Sequence, residues 1–390
     1  MKKDIKQLVQ EQHEEVVALR RYFHMYPELG TQEFNTQKKI MAELTALGLK
    51  PRPIATTGVI AELQGGKPGR TLAIRADIDA LPLQDECEKP YQSQNHGVCH
   101  ACGHDGHIAM LLGVAKVLTE IQEDIAGKVR FLFQPSEERF PGGALSLIEE
   151  GALDGVDMII GAHLWQPVPV NAIGIAYGRM MAAPDEFIIT VKGKGGHGSM
   201  PHQTVSALLV AAQIVTALSA VTAQSVDPLE AAVLSIGSFN SGEVFNIIPD
   251  TAIVKGTVRS FEQQVRLKVF ERIEQITKGI CEAAGATYEL DKIFGFPPVI
   301  NDVAITKVFA EVGAEVLGDQ GVVKIQPCMG GEDFSYFQEK VPGTFIFVGV
   351  GNPEKGIIYP QHHPKYDIDE QALANGVEIM AKTALKLLSH

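Results

Sequence analysis

Short apolar runs of strand length alternate along this chain with longer segments whose apolar residues recur at helical spacing. Three of these runs, 71–74, 128–133 and 158–162, are followed within a few residues by carboxylates or a histidine. Strands that alternate with helices are typical of α/β layer proteins, whose open sheets place functional groups beyond the ends of their strands. The sequence therefore predicts a mixed-sheet α/β/α domain with a polar site at its strand ends.

The pattern changes near Pro184 and changes back near Pro297. Between these positions the order of predicted elements is β-α-β-β-α-β, which is the ferredoxin-like arrangement. We therefore expect a larger domain built from residues 1–183 and 297–390, with residues 184–296 inserted as a separate module. The predicted elements of this module are strand 186–191, helix 204–221, strands 232–239 and 252–259, helix 262–284 and strand 287–293.

Length and charge limit the classes of function. A chain of 390 residues is too long for one ordinary core, so two domains are expected. The formal net charge of -13 opposes binding to nucleic acid or to an anionic membrane surface. Five cysteines are an odd number for a disulfide framework, and the charged first residues lack the apolar core of a signal peptide. We expect a soluble, cytoplasmic protein.

The segment from Cys99 to His107 is dense in residues that bind metals, since eight of its nine positions are Cys, His, Asp or Gly. Cys102 and His104 are two residues apart, so in an extended chain their side chains leave the same face. A redox Cys-x-x-Cys pair or a small structural zinc site would also use such residues. Further candidate ligands elsewhere exceed the four of a structural site, which favours a two-metal site.

Two pairs of carboxylates follow predicted strands. Asp77 and Asp79 also share one face, and a buried carboxylate pair calls for a cation or a histidine partner. Glu137 and Glu138 follow a strand that Pro135 ends, and the expected chemistry needs one as a ligand and one as a proton shuttle. The alternatives are a turn that caps the next segment for the first pair and two exposed surface acids for the second.

Histidines at two other places complete the candidate ligands. His163 ends an apolar strand, where a single histidine is more often a satisfied core residue. His362 and His363 precede Pro364, which keeps the backbone extended and points neighbouring side chains apart. One of these two can bind a metal, but not both.

The inserted module carries three candidate substrate contacts. His197 lies among glycines that let the backbone approach a ligand closely, although a surface turn is the alternative. Asn246 lies in a connection between strands, and Arg259 ends the strand that follows it. An arginine at a strand end is usually a solvated charge, but it is also a natural bidentate partner for a carboxylate.

Together these segments resemble the metal-dependent amidohydrolase family of aminoacylase and carboxypeptidase G, in the branch of hippurate hydrolases, N-acyl-amino-acid deacylases and auxin-conjugate hydrolases. The resemblance extends from residue 26 to residue 370. The motifs that carry it are Tyr-Pro-Glu-Leu-Gly at 26–30, Asp-Ile-Asp-Ala-Leu-Pro at 77–82, His-Ala-Cys-Gly-His-Asp at 100–105, Gln-Pro-Ser-Glu-Glu at 134–138 and Gly-Gly-Glu-Asp-Phe at 330–334.

The resemblance implies a two-metal centre with zinc, manganese, cobalt or nickel. Glu137 matches the general base and Asp79 an orienting carboxylate, whereas Asp77 stands where other branches carry a ligating histidine. His197, Asn246 and Arg259 match substrate-binding groups of a lid and dimerisation domain, with His197 serving a partner subunit in dimeric relatives. No definite role follows for Asp77 or Glu332. The metal ligands that the resemblance implies are Cys102, in place of a bridging carboxylate, with His104, Glu138, His163 and His362.

The function expected from these features is hydrolysis of the amide bond of N-acyl amino acids, such as acetyl or benzoyl derivatives. Water activated by the metals would attack the amide, with Glu137 as general base. The expected partners are the small-molecule substrate and a second copy of the chain, in a homodimer or a higher oligomer. The alternatives are a dipeptidase or carboxypeptidase on the same metal site, and a non-catalytic metal-dependent binding protein.

Overall fold

A computed structural model describes residues 4–389 of the chain. These residues divide into two compact units. Unit 1 comprises residues up to 180 together with 300–326 and 333 onwards, and unit 2 comprises 181–299 and 327–332. The expected module 184–296 lies within unit 2. The expected domain ends at residues 1 and 390 lie outside the described range.

The helices and strands of the described residues are numbered in chain order. The helices are α1 Ile5–Met25, α2 Phe34–Ala46, α3 His104–Glu120, α4 Gly143–Glu149, α5 Ala207–Leu218, α6 Val221–Ser225, α7 Gln263–Ala284, α8 Val303–Leu317, α9 Ser335–Gln338 and α10 Gln371–Leu388. The strands are β1 Arg52–Ile54, β2 Gly58–Gln64, β3 Lys67–Asp77, β4 Ala126–Gln134, β5 Met158–Pro169, β6 Ile173–Ile175, β7 Gly178–Met181, β8 Ala183–Lys192, β9 Gly196–His197, β10 Ala232–Asn240, β11 Ile247–Ile248, β12 Thr251–Ser260, β13 Thr287–Ile293, β14 Val299–Asn301, β15 Val322–Lys324 and β16 Gly343–Gly351.

Unit 1 contains an eight-stranded sheet in the order β1-β2-β4-β3-β5-β16-β6-β15. The central strands β4, β3, β5 and β16 are parallel, whereas β1, β2 and β4 pair antiparallel, as do β16 and β6. This mixed sheet confirms the predicted α/β class. Every residue of β16 is buried, which is why this strand is a continuous apolar run in the sequence.

Helices α1, α3 and α10 pack together in unit 1 and bury the apolar residues of their facing sides. Helix α3 is almost wholly buried, consistent with its low content of charged residues after Asp105. Helix α1 instead alternates buried and exposed positions and buries Val9, Val16 and Phe23 at helical spacing. These three helices support the segment before α3, which carries Cys102.

Unit 2 contains a four-stranded antiparallel sheet in the order β10-β12-β8-β13. Its main elements follow in the order β-α-β-β-α-β, with the short α6 and the two-stranded ribbon of β9 and β11 added. Helices α5 and α7 pack on the sheet and enclose a core of their own with Phe187, Val254 and Phe270. Among the described residues, no helix combines the length and apolar character that a membrane crossing requires.

Candidate metal centre

The ends of β3 and β4 bring the two predicted carboxylate pairs side by side. These strands are parallel neighbours, and Asp77 at the end of β3 is paired in register with Gln134 at the end of β4. The backbone N–H of Ile78 donates to the carbonyl of Gln134 at 2.9 Å, which extends the pairing by one step. Residues that follow the two strands, Asp79 and Glu137 among them, therefore lie next to each other.

Asp79 fixes the backbone on which the glutamates stand. Its Oδ1 accepts a hydrogen bond from the N–H of Glu137 and its Oδ2 one from the N–H of Glu138, both at 3.0 Å. Ser136, just before them, has a φ of 55°, in the left-handed region that residues with a side chain rarely adopt. The sharp turn at Ser136 and the carboxylate of Asp79 together place both glutamates beyond the end of β4.

Cys102 and His104 lie at the start of α3. Gly103 precedes the helix with a φ of 93°, a conformation that favours glycine. His104 donates from Nδ1 to the backbone carbonyl of Asp79 at 2.8 Å, so its Nε2 is the nitrogen available to a ligand. This Nε2 atom is buried and has no hydrogen-bond partner.

His163 and His362 approach the same place from other elements. His163, on β5, donates from Nδ1 to the carbonyl of Leu164 at 2.8 Å, and its Nε2 lies 3.4 Å from Cys102 Sγ. His362 lies in a loop, with its Nε2 3.3 Å from Glu138 Oε1 and its side chain 56% exposed. His363 instead stacks on Tyr359 with ring centroids 4.4 Å apart. The structure therefore brings His362, rather than His363, to the candidate ligands.

Six of the predicted residues thus form one group, the six-residue cluster of Cys102, His104, Glu137, Glu138, His163 and His362. It consists of three overlapping triads, each with its potential ligand atoms within 4.8 Å of one another. Cys102 belongs to the triad with His104 and His163 and also to the triad with Glu138 and His362. Cys102 would therefore be a ligand common to both triads when metal is bound.

The unpaired atoms of the cluster fit a cation. Besides His104 Nε2, Glu138 Oε1 is buried without a well-aligned hydrogen bond, although His362 Nε2 lies 3.3 Å from it. Buried polar atoms are normally satisfied, so two such atoms in one cluster indicate a missing positive ligand. Thiolate, imidazole and carboxylate groups together are suited to divalent transition metals. The residues present therefore fit a metal centre.

Burial shapes the protonation of the cluster. Burial and the nearby Glu138 and Glu137 carboxylates raise the pKa of the Cys102 thiol well above its usual range. Burial, with His107 next to it, holds the pKa of His163 well below its usual range, so this imidazole is neutral as a metal ligand requires. A thiol surrounded by carboxylates loses its proton only when a cation replaces it. The cluster is thus arranged for metal binding with proton release.

Asp77 and His107 support the cluster through hydrogen bonds. His107 donates from Nδ1 to Asp77 Oδ1 at 2.5 Å and accepts the N–H of Leu164 on Nε2 at 2.8 Å. Asp77 Oδ2 also accepts from Arg75 at 2.7 Å. His104, Arg75 and His107 outweigh the effect of burial and hold the pKa of Asp77 well below its usual range. Both ring nitrogens of His107 are therefore already engaged.

Sequence reasoning assigned no role to a buried network beneath the strand ends. Arg75 donates to Asp333 Oδ1 at 2.7 Å, and Gln134 Nε2 contacts both oxygens of Asp333 at 2.8 and 2.7 Å. Burial raises the pKa of Asp333 to about 6, although Arg75 opposes this shift. Gln134 and Asp333 lie inside two of the quoted motifs, which was the only available signal. Asp333 belongs to unit 1, whereas Glu332 belongs to unit 2.

Helix α1 anchors the segment that carries Cys102 and His104. Asp105 Oδ2 lies 2.8 Å from Arg20 Nε and 2.7 Å from His24 Nδ1, and all three side chains are fully buried. Cys99 is also buried, and burial raises the pKa of its thiol. A thiol that is hard to deprotonate is a poor redox nucleophile, which argues against the Cys-x-x-Cys redox alternative.

The three candidate substrate contacts of unit 2 lie at two places. His197 and Asn246 are together, because His197 pairs with Ile247 across β9 and β11 and the N–H of Gly198 donates to the carbonyl of Asn246 at 2.8 Å. Arg259 is at the other end of β12, opposite Pro184 of β8. The eight residue steps from Thr251 to Arg259 span about 26 Å of extended strand. Arg259 and the ribbon that carries His197 and Asn246 are therefore at opposite ends of β12.

A mixed α/β sheet with a thiol, imidazoles and carboxylates gathered beyond its parallel strand ends defines the class of metal-dependent hydrolases. Comparison with known proteins specifies the family. The model of Peptidase family M20/M25/M40 matches residues 73–386, and the chain belongs to this family. This membership confirms the resemblance that the sequence motifs indicate.

Individual relatives cover between 77% and 98% of the chain. The chain is 50% identical over 301 residues to the N-acyl-L-amino acid amidohydrolase of Geobacillus stearothermophilus, covering 77% of this chain and 81% of that protein. It is 39% identical over 386 residues to thermostable carboxypeptidase 1 of Saccharolobus solfataricus, covering 98% of each. Among solved structures, the YXEP protein of Bacillus subtilis, described as a dinuclear metal binding peptidase, matches with a TM-score of 0.86 and 36% identity over 97% of this chain and 99% of that one.

Proposed function

We propose that this protein is a two-metal amidohydrolase that cleaves the amide bond of N-acyl amino acids and releases a carboxylate and a free amino acid. The observation that carries the proposal is the six-residue cluster, in which each member has the chemical type that metal-assisted hydrolysis requires. The amidohydrolase and dinuclear peptidase among the similar proteins support the same chemistry.

The proposed ligands are Cys102, His104, Glu138, His163 and His362. Two divalent ions held there would polarise the amide carbonyl and lower the pKa of water from about 16 towards about 7. Sulfur and nitrogen ligands favour zinc, while a carboxylate ligand such as Glu138 also accepts manganese, cobalt or nickel. The backbone carbonyls that bind His104 and His163 through Nδ1 fix the rings so that Nε2 faces the cluster.

Glu137 is the proposed general base. It is buried, it lies in one triad with His104 and Glu138, and its backbone is fixed by Asp79. A carboxylate in this position takes a proton from the attacking water and returns it to the leaving amine, acting first as a base and then as an acid. Asp79 contributes by orientation: it holds the N–H groups of both glutamates with its two oxygens.

We further propose that unit 2 binds substrate and mediates a homodimer. Arg259 would bind the carboxylate of the amino acid, and His197 with Asn246 would face the amide and the developing oxyanion. Because about 26 Å of β12 separates Arg259 from Thr251, at the strand end that follows the ribbon of His197 and Asn246, we infer that two copies of the chain complete one set. Strand β10 is at the edge of the unit 2 sheet, where a second copy could pair with it.

The second candidate function is peptidase activity on the same cluster, which the carboxypeptidase relative favours. An N-acyl amino acid and a dipeptide share the amide and the free carboxylate, and they differ in the group on the acyl side. The ratio of kcat/KM for acetyl and benzoyl amino acids to that for dipeptides decides between the two activities. Ligand binding without any turnover would instead identify a non-catalytic binding protein.

The general base is tested with Glu137→Gln, which keeps the shape of the side chain and removes its basicity. We expect this variant to keep its bound metal, measured by elemental analysis, and to lose at least about 100-fold in kcat, since general bases typically contribute 100- to 10,000-fold. The matched control is Glu149→Gln, at an exposed position of α4. Full activity in Glu137→Gln would refute the assigned role.

A cytoplasmic location is also proposed. Five free cysteines and no disulfide are found in the described part of the chain. Free cysteines persist in reducing compartments, where disulfides rarely form.

A further inference from the structure

Glu33 is a buried carboxyl group that the mechanism above does not use. It is fully buried at the residue before α2, yet its side chain does not cap that helix. Burial raises its pKa to about 7, although hydrogen bonds from Thr57 and from the backbone oppose this shift. A buried carboxyl is unfavourable without partners, so the contacts of its two oxygens indicate what it does.

One oxygen of Glu33 accepts from the segment before the glutamates, and the other accepts from Thr57, just before β2. Oε1 accepts the N–H of Ser136 at 2.9 Å, and Oε2 accepts the hydroxyl of Thr57 at 2.6 Å. Since Asp79 accepts the N–H groups of Glu137 and Glu138, two carboxylates hold three consecutive backbone amides. We name residues 136–138, with these three N–H groups, the 136–138 turn.

The turn needs this support because its first residue is strained. Ser136 has a φ of 55°, and such conformations in residues other than glycine persist only where the surroundings enforce them. Asp79 holds the two residues after Ser136 but does not contact the N–H of Ser136 itself. Glu33 therefore holds the N–H of the strained residue, while the carbonyl of Ser136 accepts the N–H of Gly143 at 3.0 Å.

The segment that carries Glu33 is itself fixed against Asp79 and the turn. The N–H of Ala80 donates to the carbonyl of Glu28 at 2.9 Å. A Cβ atom at Gly30 would lie 2.9 Å from Ser136 Oγ and 3.3 Å from Asp79 Oδ2. Residues 28–33 thus lie directly against the turn and deliver Glu33 to it from a distant part of the sequence.

We propose that Glu33 is a positioning residue: by holding the N–H of Ser136, it fixes the 136–138 turn and so directs the carboxylates of Glu137 and Glu138. The consequence for catalysis rests on the proposed function, whereas the effect on the turn does not. Glu33 touches neither substrate nor metal in this assignment. A displacement of about 1 Å in a catalytic group can cost about 100-fold in rate, so the loss of this contact affects turnover.

Three variants test the proposal in the full-length, metal-loaded protein. Glu33→Ala removes both hydrogen bonds. Glu33→Gln keeps an oxygen for Ser136 and offers an NH₂ group to the hydroxyl of Thr57, so it conserves the geometry. Asn301→Ala removes a buried side chain with several hydrogen bonds elsewhere in unit 1 and controls for general destabilisation.

The first measurement is hydrogen–deuterium exchange of peptides that contain residues 136–138. We expect exchange at least about 10-fold faster in Glu33→Ala and within about 3-fold of the wild type in Glu33→Gln and Asn301→Ala. Unchanged exchange in Glu33→Ala, or exchange equally fast in Asn301→Ala, would overturn the proposal. This measurement decides the role of Glu33 in fixing the turn even if the protein cleaves none of the tested amides, in which case only the proposed function fails.

The second measurement is the kinetics of an N-acetyl or N-benzoyl amino acid that the wild type cleaves. Glu33→Ala should lower kcat by about 10- to 100-fold and change KM by less than about 3-fold, because the turn carries the base rather than the substrate contacts. Glu33→Gln should restore most of kcat. An equal loss in Glu33→Gln, or a loss in Glu33→Ala no larger than in Asn301→Ala, would contradict the positioning role.

Discussion

At the scale of single residues, the site consists of buried groups whose protonation depends on the charges and hydrogen-bond partners around them. Cys102 is shared by two triads and carries a thiol whose pKa is raised by burial and by Glu138 and Glu137. His104 and His163 each donate from Nδ1 to a backbone carbonyl, which leaves Nε2 to face the cluster. Because these groups are satisfied only with a cation, metal binding and the protonation of the site are linked.

Glu33 makes the stability of the protein depend on pH in a defined direction. Its pKa rises from 4.5, the ordinary value, to about 7 in the folded protein, chiefly because of burial. The folded state therefore binds this proton more tightly, so the contribution of Glu33 to stability is most favourable below pH 4.5 and declines as the pH rises to about 7. Above that pH the free-energy cost of keeping Glu33 ionised in the folded protein is constant, at about 3 kcal/mol.

Glu33→Gln should remove this dependence, because the amide does not titrate. We expect the free energy of unfolding of this variant, relative to the wild type, to rise between pH 5 and pH 8 by roughly 2–3 kcal/mol. Urea unfolding of both metal-free proteins across this range measures the difference. A constant difference between the two proteins would show that Glu33 does not titrate there.

At the scale of elements, the site depends on two parallel strands that end in register. Asp77 of β3 is opposite Gln134 of β4, so the segments that follow leave the sheet together. The long connection between α1 and α2 then lies against both segments, through Gly30 and Glu33. The glutamates are thus positioned by the ends of two strands and by a connection far away in the sequence.

Gly30→Ala should disturb the site through this contact. The added methyl group would lie 2.9 Å from Ser136 Oγ and 3.2 Å from Ser136 Cα, closer than nearly all real Cβ contacts, so Ser136 would have to shift. We expect a loss of about 1–3 kcal/mol in stability, as for other overpacked sites, together with a reduced kcat. Chemical denaturation and steady-state kinetics measure the two effects.

Gly279→Ala provides the matched control. Gly279 lies within α7, and a Cβ atom there would meet nothing within 4 Å. Alanine in place of glycine in a helix should stabilise by about 0.5–1 kcal/mol and leave kcat unchanged. If Gly30→Ala behaved like this control, the close approach of the connection to the turn would not matter.

Local patterns in the sequence were enough to predict several central strands and to mark two of the candidate ligands. Apolar runs predicted β3, β4 and β5, and the residue types and spacing marked Cys102 and His104. The sequence could not assign His107 to Asp77, since the two residues are 30 positions apart, whereas Arg75 is a local partner two residues before Asp77 on β3. The same holds for Asp333, which meets Arg75 from a position 258 residues away.

At the scale of the whole molecule, groups that are expected to act on one substrate lie at opposite ends of β12. Arg259 is near one end, and the ribbon with His197 and Asn246 lies beyond the other. In the proposed homodimer, each site would use Arg259 of one copy and His197 of the other. Dimers that combine two different variant subunits can distinguish this arrangement from a site formed within one copy.

His197→Ala and Arg259→Ala homodimers should each lose most activity, because every site lacks one contact. In a dimer with one subunit of each type, one site combines the intact Arg259 of the first with the intact His197 of the second, while the other site lacks both. Random mixing in equal amounts makes half of the dimers mixed, so activity should return to about a quarter of the wild-type value. Subunits are mixed by reversible dissociation or by co-expression with two affinity tags. If both contacts came from the same copy, every mixed site would lack one of them, and the mixture would be no more active than its parents.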